Sequence, residues 1–173
     1  MSGPGFIVSP RRKQDIYDIA ASVRNAFMRF FGNAPYVPID KLYELLPELL
    51  PGFQLEVCEH AEMGPDHGRC YPAQRLIKLR VDVYDGMCEG QGRDRFTGAH
   101  ELGHLFLHAN VSFARVIEPS SRIEIFRDSE WQANTFASGL LINQAALARC
   151  ASLSEVVRTF GVSEDAARVR FKK

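Results

Sequence analysis

No stretch of this 173-residue chain approaches the run of about 20 apolar residues that a membrane-spanning helix requires. The first twelve residues hold only Phe6-Ile7-Val8 where a signal peptide needs a longer apolar centre. Neither sign of charge is in excess: Lys plus Arg and Asp plus Glu number 21 each. No global field therefore draws the chain to nucleic acid or to a membrane surface. Cysteine is sparse, and Cys58, Cys70, Cys88 and Cys150 form no C-x-x-C pair, which argues against a structural zinc knuckle. With nothing to suggest secretion, the thiols are expected to be free and mostly buried, in a cytoplasmic protein. Internal repeats and low-complexity tracts are also missing. What is present is 46% apolar and 24% charged residues, enough for one soluble domain with a real core.

The most informative segment is His-Glu-Leu-Gly-His at 100–104. On a helix, positions i and i+4 lie one above the other, so His100 and His104 offer two imidazoles to one metal ion. Glu101 sits about 100° round the helix, outside the ligand pair but within reach of a water beside the metal. This is the pattern of a metallopeptidase helix, with two ligands and a general base. Phe96, Ala99, Leu102, Gly103, Phe106 and Leu107 recur near helical spacing and bury the segment. The competing reading is two core histidines satisfied by hydrogen bonds, with Glu101 at the surface.

A catalytic zinc takes a third protein ligand. His108 continues the series, but about 12 Å of helix rise separates it from His100, too far for a shared ion. It is read as a supporting or core residue. Leu107 and Asn110 stand where a metzincin needs Gly and His, which excludes that class. A carboxylate from later in the chain is the alternative. Glu130, opening the next long helix, is the best placed; Glu118 and Glu124 lie in the intervening loop. Asn134, one turn beyond Glu130, is placed to orient a ligand histidine.

Along the chain, residues 1–10 suggest a loose arm, and residues 11–173 one domain. Helical faces are expected over 11–31, closed by Gly32-Asn33, and over the Leu42, Leu45 and Leu46 segment, ended or kinked by Pro47. Alternation predicts strands at 53–57, 67–72 and 76–83, with a turn around Pro72-Ala73-Gln74, then a glycine-rich loop from Gly86 to Gly92. Residues 110–129 read as a long loop, of a length usually associated with function. Asp128 or Ser129 caps a helix through Leu141, and short helical segments follow at 144–150, 153–160 and 163–171. The class is α+β.

Two blocks carry a family resemblance. Arg-Phe-Thr-Gly-Ala-His-Glu-Leu-Gly-His-Leu-Phe-Leu-His (95–108) resembles the signature of the ImmA/IrrE metallopeptidases, and Glu-Trp-Gln-Ala-Asn-Thr-Phe-Ala-Ser-Gly-Leu-Leu (130–141) is similar to their second motif. The likeness spans roughly residues 53–171 and is strongest in those blocks. Ile142-Asn143 departs from it, since Met-Pro is common there. The resemblance implies zinc held by His100, His104 and Glu130, with Glu101 as catalytic base. It implies a zincin-like, gluzincin-type fold with three strands beside the active helix and helices around it. It further implies a bacterial or mobile-element protein that regulates transcription by cutting a DNA-binding repressor, often of the Xre helix-turn-helix type. The best-known long members add a C-terminal sensor domain, which is not expected in the sequence to Lys173.

Substrate is expected to add a strand to an exposed sheet edge, with 76–83 as the expected edge. A second donor to the developing oxyanion is sought among His67, Tyr71, Tyr84 and Arg122. Two other readings compete with catalysis. One is DNA binding through a helix-turn-helix-like segment at 153–171, with Arg168, Arg170, Lys172 and Lys173 as its basic edge; the lack of a clear basic face argues against it. The other is a catalytically silent peptidase-fold binding module, an antitoxin or anti-repressor.

Overall fold

The computed structural model describes residues 6–109 and 124–171. Helix α1 (Lys13–Phe31) ends at Gly32, whose positive φ of 82° stops it as the sequence predicts. Helix α2 (Ile39–Leu49) differs from expectation by running through Pro47. The proline removes the helical bond to the Tyr43 carbonyl, but only two residues of helix remain after it.

The sheet comprises β1 (Gln54–Cys58), β2 (Gly68–Tyr71) and β3 (Leu76–Arg80), with the short helix α3 (His60–Met63) between the first two. A 3-10 turn over Pro72–Gln74 and a left-handed Arg75 reverse the chain between β2 and β3. The spatial order is β1-β3-β2, with β3 parallel to β1 and antiparallel to β2. This corrects the expected edge: β3 is the central strand, and its Leu76, Ile77, Leu79 and Arg80 are all buried. Near-continuous burial is the mark of a strand covered on both faces. Among the described residues the edges are β1 and β2.

The 76–83 segment is also shorter as a strand than its alternation suggests. Helix α4 (Val81–Cys88) begins directly after Arg80. Asp82 favours that start from the first turn, where a carboxylate meets the positive end of the helix dipole, and it accepts hydrogen bonds from Arg80 at 2.6 and 2.9 Å. The expected Gly86–Gly92 loop therefore shrinks to Glu89–Gln91. Gly86 lies inside α4, where a Cβ would strike the Asp94 carboxylate, and Gly92 starts α5 (Gly92–His108).

Helix α6 (Ser129–Leu141) packs along α5, and α1 packs on the far side of α6. Two glycines set these distances. A Cβ on Gly103 would lie 3.0 Å from the Ala133 backbone, and one on Gly139 would lie 2.8 Å from the Tyr17 ring. Helices α7 (Gln144–Leu147), α8 (Leu153–Phe160) and α9 (Glu164–Arg170) complete the chain, with α8 and α9 joined through a left-handed Gly161. Asp128, Asn143, Ser152 and Ser163 cap α6 to α9 with side-chain oxygens.

Of the stretch 1–10, residues 6–9 are held in place. Ile7 bridges Asp128, the Val8 amide donates to the Arg127 carbonyl at 2.9 Å, and Val8 is buried. The four cysteines are unpaired; Cys58 and Cys150 are buried, Cys70 is half-buried and Cys88 is exposed. Among the described residues no helix is long and apolar enough to cross a membrane.

Buried arginines stitch the layers together. Arg24 donates to the carbonyls of Leu140, Ala34 and Pro35. Arg95, 0% exposed, donates to Phe160 at 2.9 Å, to Gly161 and to Val37 at 2.7 Å, and stacks over Tyr36. It thereby fastens α8 to α5 through backbone carbonyls that have no water to turn to. Arg95→Met should lower unfolding free energy by about 2–4 kcal/mol in urea titration, because carbonyls stripped of a buried donor are costly.

Candidate metal centre

Helix α5 presents His100 and His104 one turn apart, as the spacing requires, with their Nε2 atoms 3.0 Å from each other. Glu130 reaches them from the first turn of α6. Its Oε2 lies 3.2 Å from His100 Nε2 and its Oε1 lies 3.2 Å from His104 Nε2. Asp128 fixes the start of that helix by accepting from the Glu130 amide at 2.9 Å. Three donor atoms from two helices thus converge on one point.

The set suits a divalent ion chemically. Ligands about 2.0–2.1 Å from a tetrahedral zinc stand roughly 3.3 Å apart, close to the separations found. Among the described residues one other cluster has metal-type donors, Glu56, Cys58 and Glu62. It does not fit a cation. The Lys78 ammonium already fills that position, 2.7 Å from Glu56 and 3.1 Å from Glu62, while burial raises the pKa of the Cys58 thiol. Of the alternative third ligands, Glu118 lies outside the described residues, as do Arg122 and most of the 110–129 loop. Glu124 precedes the 3-10 turn at 125–127 and faces Arg127.

Charge coupling in the trio is strong. Burial alone would raise the pKa of Glu130, but hydrogen bonds with His100 and His104 hold it well below the usual carboxylate range. For His100, burial disfavours the charged form, yet Glu130 and Glu101 outweigh it and raise the pKa. Asn134 holds the other nitrogen, its amide oxygen 2.9 Å from His100 Nδ1, which is the orienting role expected of it. His108 is buried and does not join the trio. Its Nδ1 lies 3.1 Å from His104 Nδ1 and its Nε2 lies 3.2 Å from the Gln132 amide oxygen.

Glu101 is 3% exposed, against the alternative that placed it at the surface. Burial raises its pKa above the ordinary value, a shift that His100 and His104 oppose. It borders a cleft of about 230 Å³ that His67, Gly68, Phe96, His100 and Asn134 also line. The cleft lies against β2, so the sheet edge facing it is β2 and not β3. Of the four oxyanion-donor candidates, His67 lines this cleft; Tyr71 and Tyr84 do not.

Sequence reading missed Gly68. A Cβ there would sit 2.7 Å from Glu101 Cγ and Oε1, so glycine is what lets β2 approach the carboxylate. It also missed Gln132. Neither has a local sequence signal, because each contact joins residues more than twenty positions apart. At the C-terminal segment, Arg168 pairs with Glu164, and Arg170 donates to the Ile142 carbonyl and stacks over Tyr17. Lys172 and Lys173 lie outside the described residues.

The architecture is α+β, a small mixed sheet flanked by helices. Residues 87–172 match the model of a peptidase family described as the IrrE N-terminal-like domain. Among solved structures, a Mycobacterium tuberculosis transcriptional regulator superposes with a TM-score of 0.54 at 15% identity, over 90% of this chain and 49% of that one. The chain therefore spans about half the length of that regulator, and the likeness is one of fold. No curated protein matches the chain.

Gly68→Ala should cost about 1–3 kcal/mol of stability by overpacking against a buried carboxylate. Its crystal structure should show Glu101 turned from its position with the trio otherwise intact.

Proposed function

We propose that this chain is a zinc-dependent metallopeptidase that hydrolyses a peptide bond in a protein substrate, and that the substrate is a helix-turn-helix repressor. The observation that carries the reading is the convergence of His100, His104 and Glu130 beside a buried Glu101 and an open cleft. Two things support the choice of substrate: the family resemblance, and the role of the similar Mycobacterium tuberculosis protein as a transcriptional regulator.

His100, His104 and Glu130 would hold the ion. When bound, zinc supplies a Lewis acid that polarises a carbonyl and makes water more acidic. Glu101 takes the proton from the attacking water on a carboxylate oxygen and returns it to the leaving amine. Glu101 borders the cleft beside His100, so its carboxylate is within reach of a water held there. The outer edge of β2 offers backbone groups to an extended substrate, which keeps the scissile bond beside Glu101. His67 lines the cleft wall, and a ring N–H there would donate to the developing oxyanion.

A second reading is a peptidase-fold binding module that silences or releases a partner without cutting it. What supports it is that the family match and the likeness of fold both hold without any requirement for catalysis. DNA binding through the C-terminal helices is a third reading, against which stands the even balance of 21 Lys plus Arg and 21 Asp plus Glu.

Purified protein should bind one zinc, lost in Glu130→Ala and retained in Glu101→Ala. Lysate proteins from cells lacking this chain, incubated with zinc-loaded enzyme, should gain new N-termini within a repressor. Glu101→Ala should cut that yield by roughly 10²–10⁴-fold. Retained zinc with identical termini for both proteins would make the chain a binding module, and absence of zinc binding would end the peptidase reading.

A further inference from the structure

Gln132 follows Glu130 by two residues, so its side chain leaves α6 on a different flank from the trio. It is 0% exposed. Its amide nitrogen donates to the Ser9 carbonyl at 2.9 Å and to the Phe126 carbonyl at 2.8 Å. Carbonyls only accept, so both amide hydrogens are committed and the amide cannot be turned round. The oxygen is therefore the atom facing His108 Nε2 at 3.2 Å, and that nitrogen must carry the hydrogen.

His108 is 1% exposed, and its ring nitrogens face an amide oxygen and a second imidazole, surroundings in which burial favours the neutral ring. A neutral imidazole has one N–H. With that hydrogen on Nε2, the Nδ1 of His108 is an acceptor, and it faces His104 Nδ1 at 3.1 Å. The hydrogen in that contact must then belong to His104 Nδ1. Nε2 of His104, the atom facing His100 and Glu130, is left as the coordinating nitrogen.

We propose that His108 and Gln132 are positioning residues for the metal centre, fixing His104 in the tautomer that presents Nε2 and anchoring that choice in the backbone at Ser9 and Phe126. The inference rests on the metallopeptidase reading and deepens it. It also ties the segment 6–9 to the centre. The Phe6 amide donates to Ser129 Oγ, Val8 pairs with Arg127, and Ser9 holds Gln132, all within three residues of Glu130. Hydrogen-bond partners of metal-bound histidines commonly carry a 10–100-fold share of affinity.

The test is zinc affinity, by competition with a chromophoric chelator, beside unfolding midpoints of the metal-free variants. His108→Phe keeps an aromatic ring and deletes both hydrogen bonds; its dissociation constant should rise about 10–100-fold. His108→Gln can accept from His104 and donate to Gln132, and should stay within roughly threefold of wild type. Gln132→Met should fall between them. An unchanged affinity in His108→Phe, or an equal loss in His108→Gln, overturns the proposal. Long-range 1H–15N correlation spectra of the metal-free protein give an independent readout: His108 should be the Nε2–H tautomer, and an Nδ1–H form overturns the chain of donors whatever zinc does. Wild-type protein with no zinc affinity overturns the parent reading instead, which the tautomer result keeps distinct.

Discussion

The close approach of α5 and α6 is the constraint on which the site depends. Gly103, between the two motif histidines, lies so near the Ala133 backbone that a methyl group would be 3.0 Å from it. Only at that separation can a carboxylate of ordinary length on α6 bridge two imidazoles on α5, 3.2 Å from each. Helix axes usually stand 8–10 Å apart, according to the side chains between them. The glycine inside the pentapeptide is therefore not a spacer; it sets the distance across which Glu130 works. Gly139 and Tyr17 do the same on the far side, where α1 backs α6.

Around that contact the protein buries much polarity and gives most of it directed partners. Arg24 and Arg95 each serve carbonyls of two distant segments. The Tyr43 hydroxyl donates to the Gly98 carbonyl at 2.9 Å from within the core. Gln132 serves two carbonyls and one imidazole. Unpaired buried polar groups cost several kcal/mol, so these bonds admit few alternative packings. The same economy of partners orients His100, His104 and His108, each held by a directed contact.

Much of this was legible along the chain. The motif helix, the Asp128 cap, the stop at Gly32 and the turn at 72–74 follow from local rules and appear where those rules put them. Glu130 and Asn134 were reachable because helical spacing and the second motif block place both on one face. The errors have physical causes. Val81-Asp82-Val83 alternates like a strand, but the Asp82 charge and its bond to Arg80 favour a helix start. Leu76 to Arg80 reads as a strand without revealing which strands flank it, so its central place was hidden. Residues 6–9 look like a free arm until their partners at 126–132 are seen.

By itself the sequence determined the pair of imidazoles, the neighbouring carboxylate and the helix that carries them, because i and i+4 share a face whatever else the chain does. It also determined the α+β class, through the change of hydrophobic period near residue 53. Only the tertiary structure decided that Gly68 lies against Glu101, that β2 is the edge facing the cleft, and that Gln132 governs a histidine two contacts away. Periodicity describes which way a residue faces along one element. Distances between elements depend on how side chains from remote segments interlock, and no local pattern encodes that.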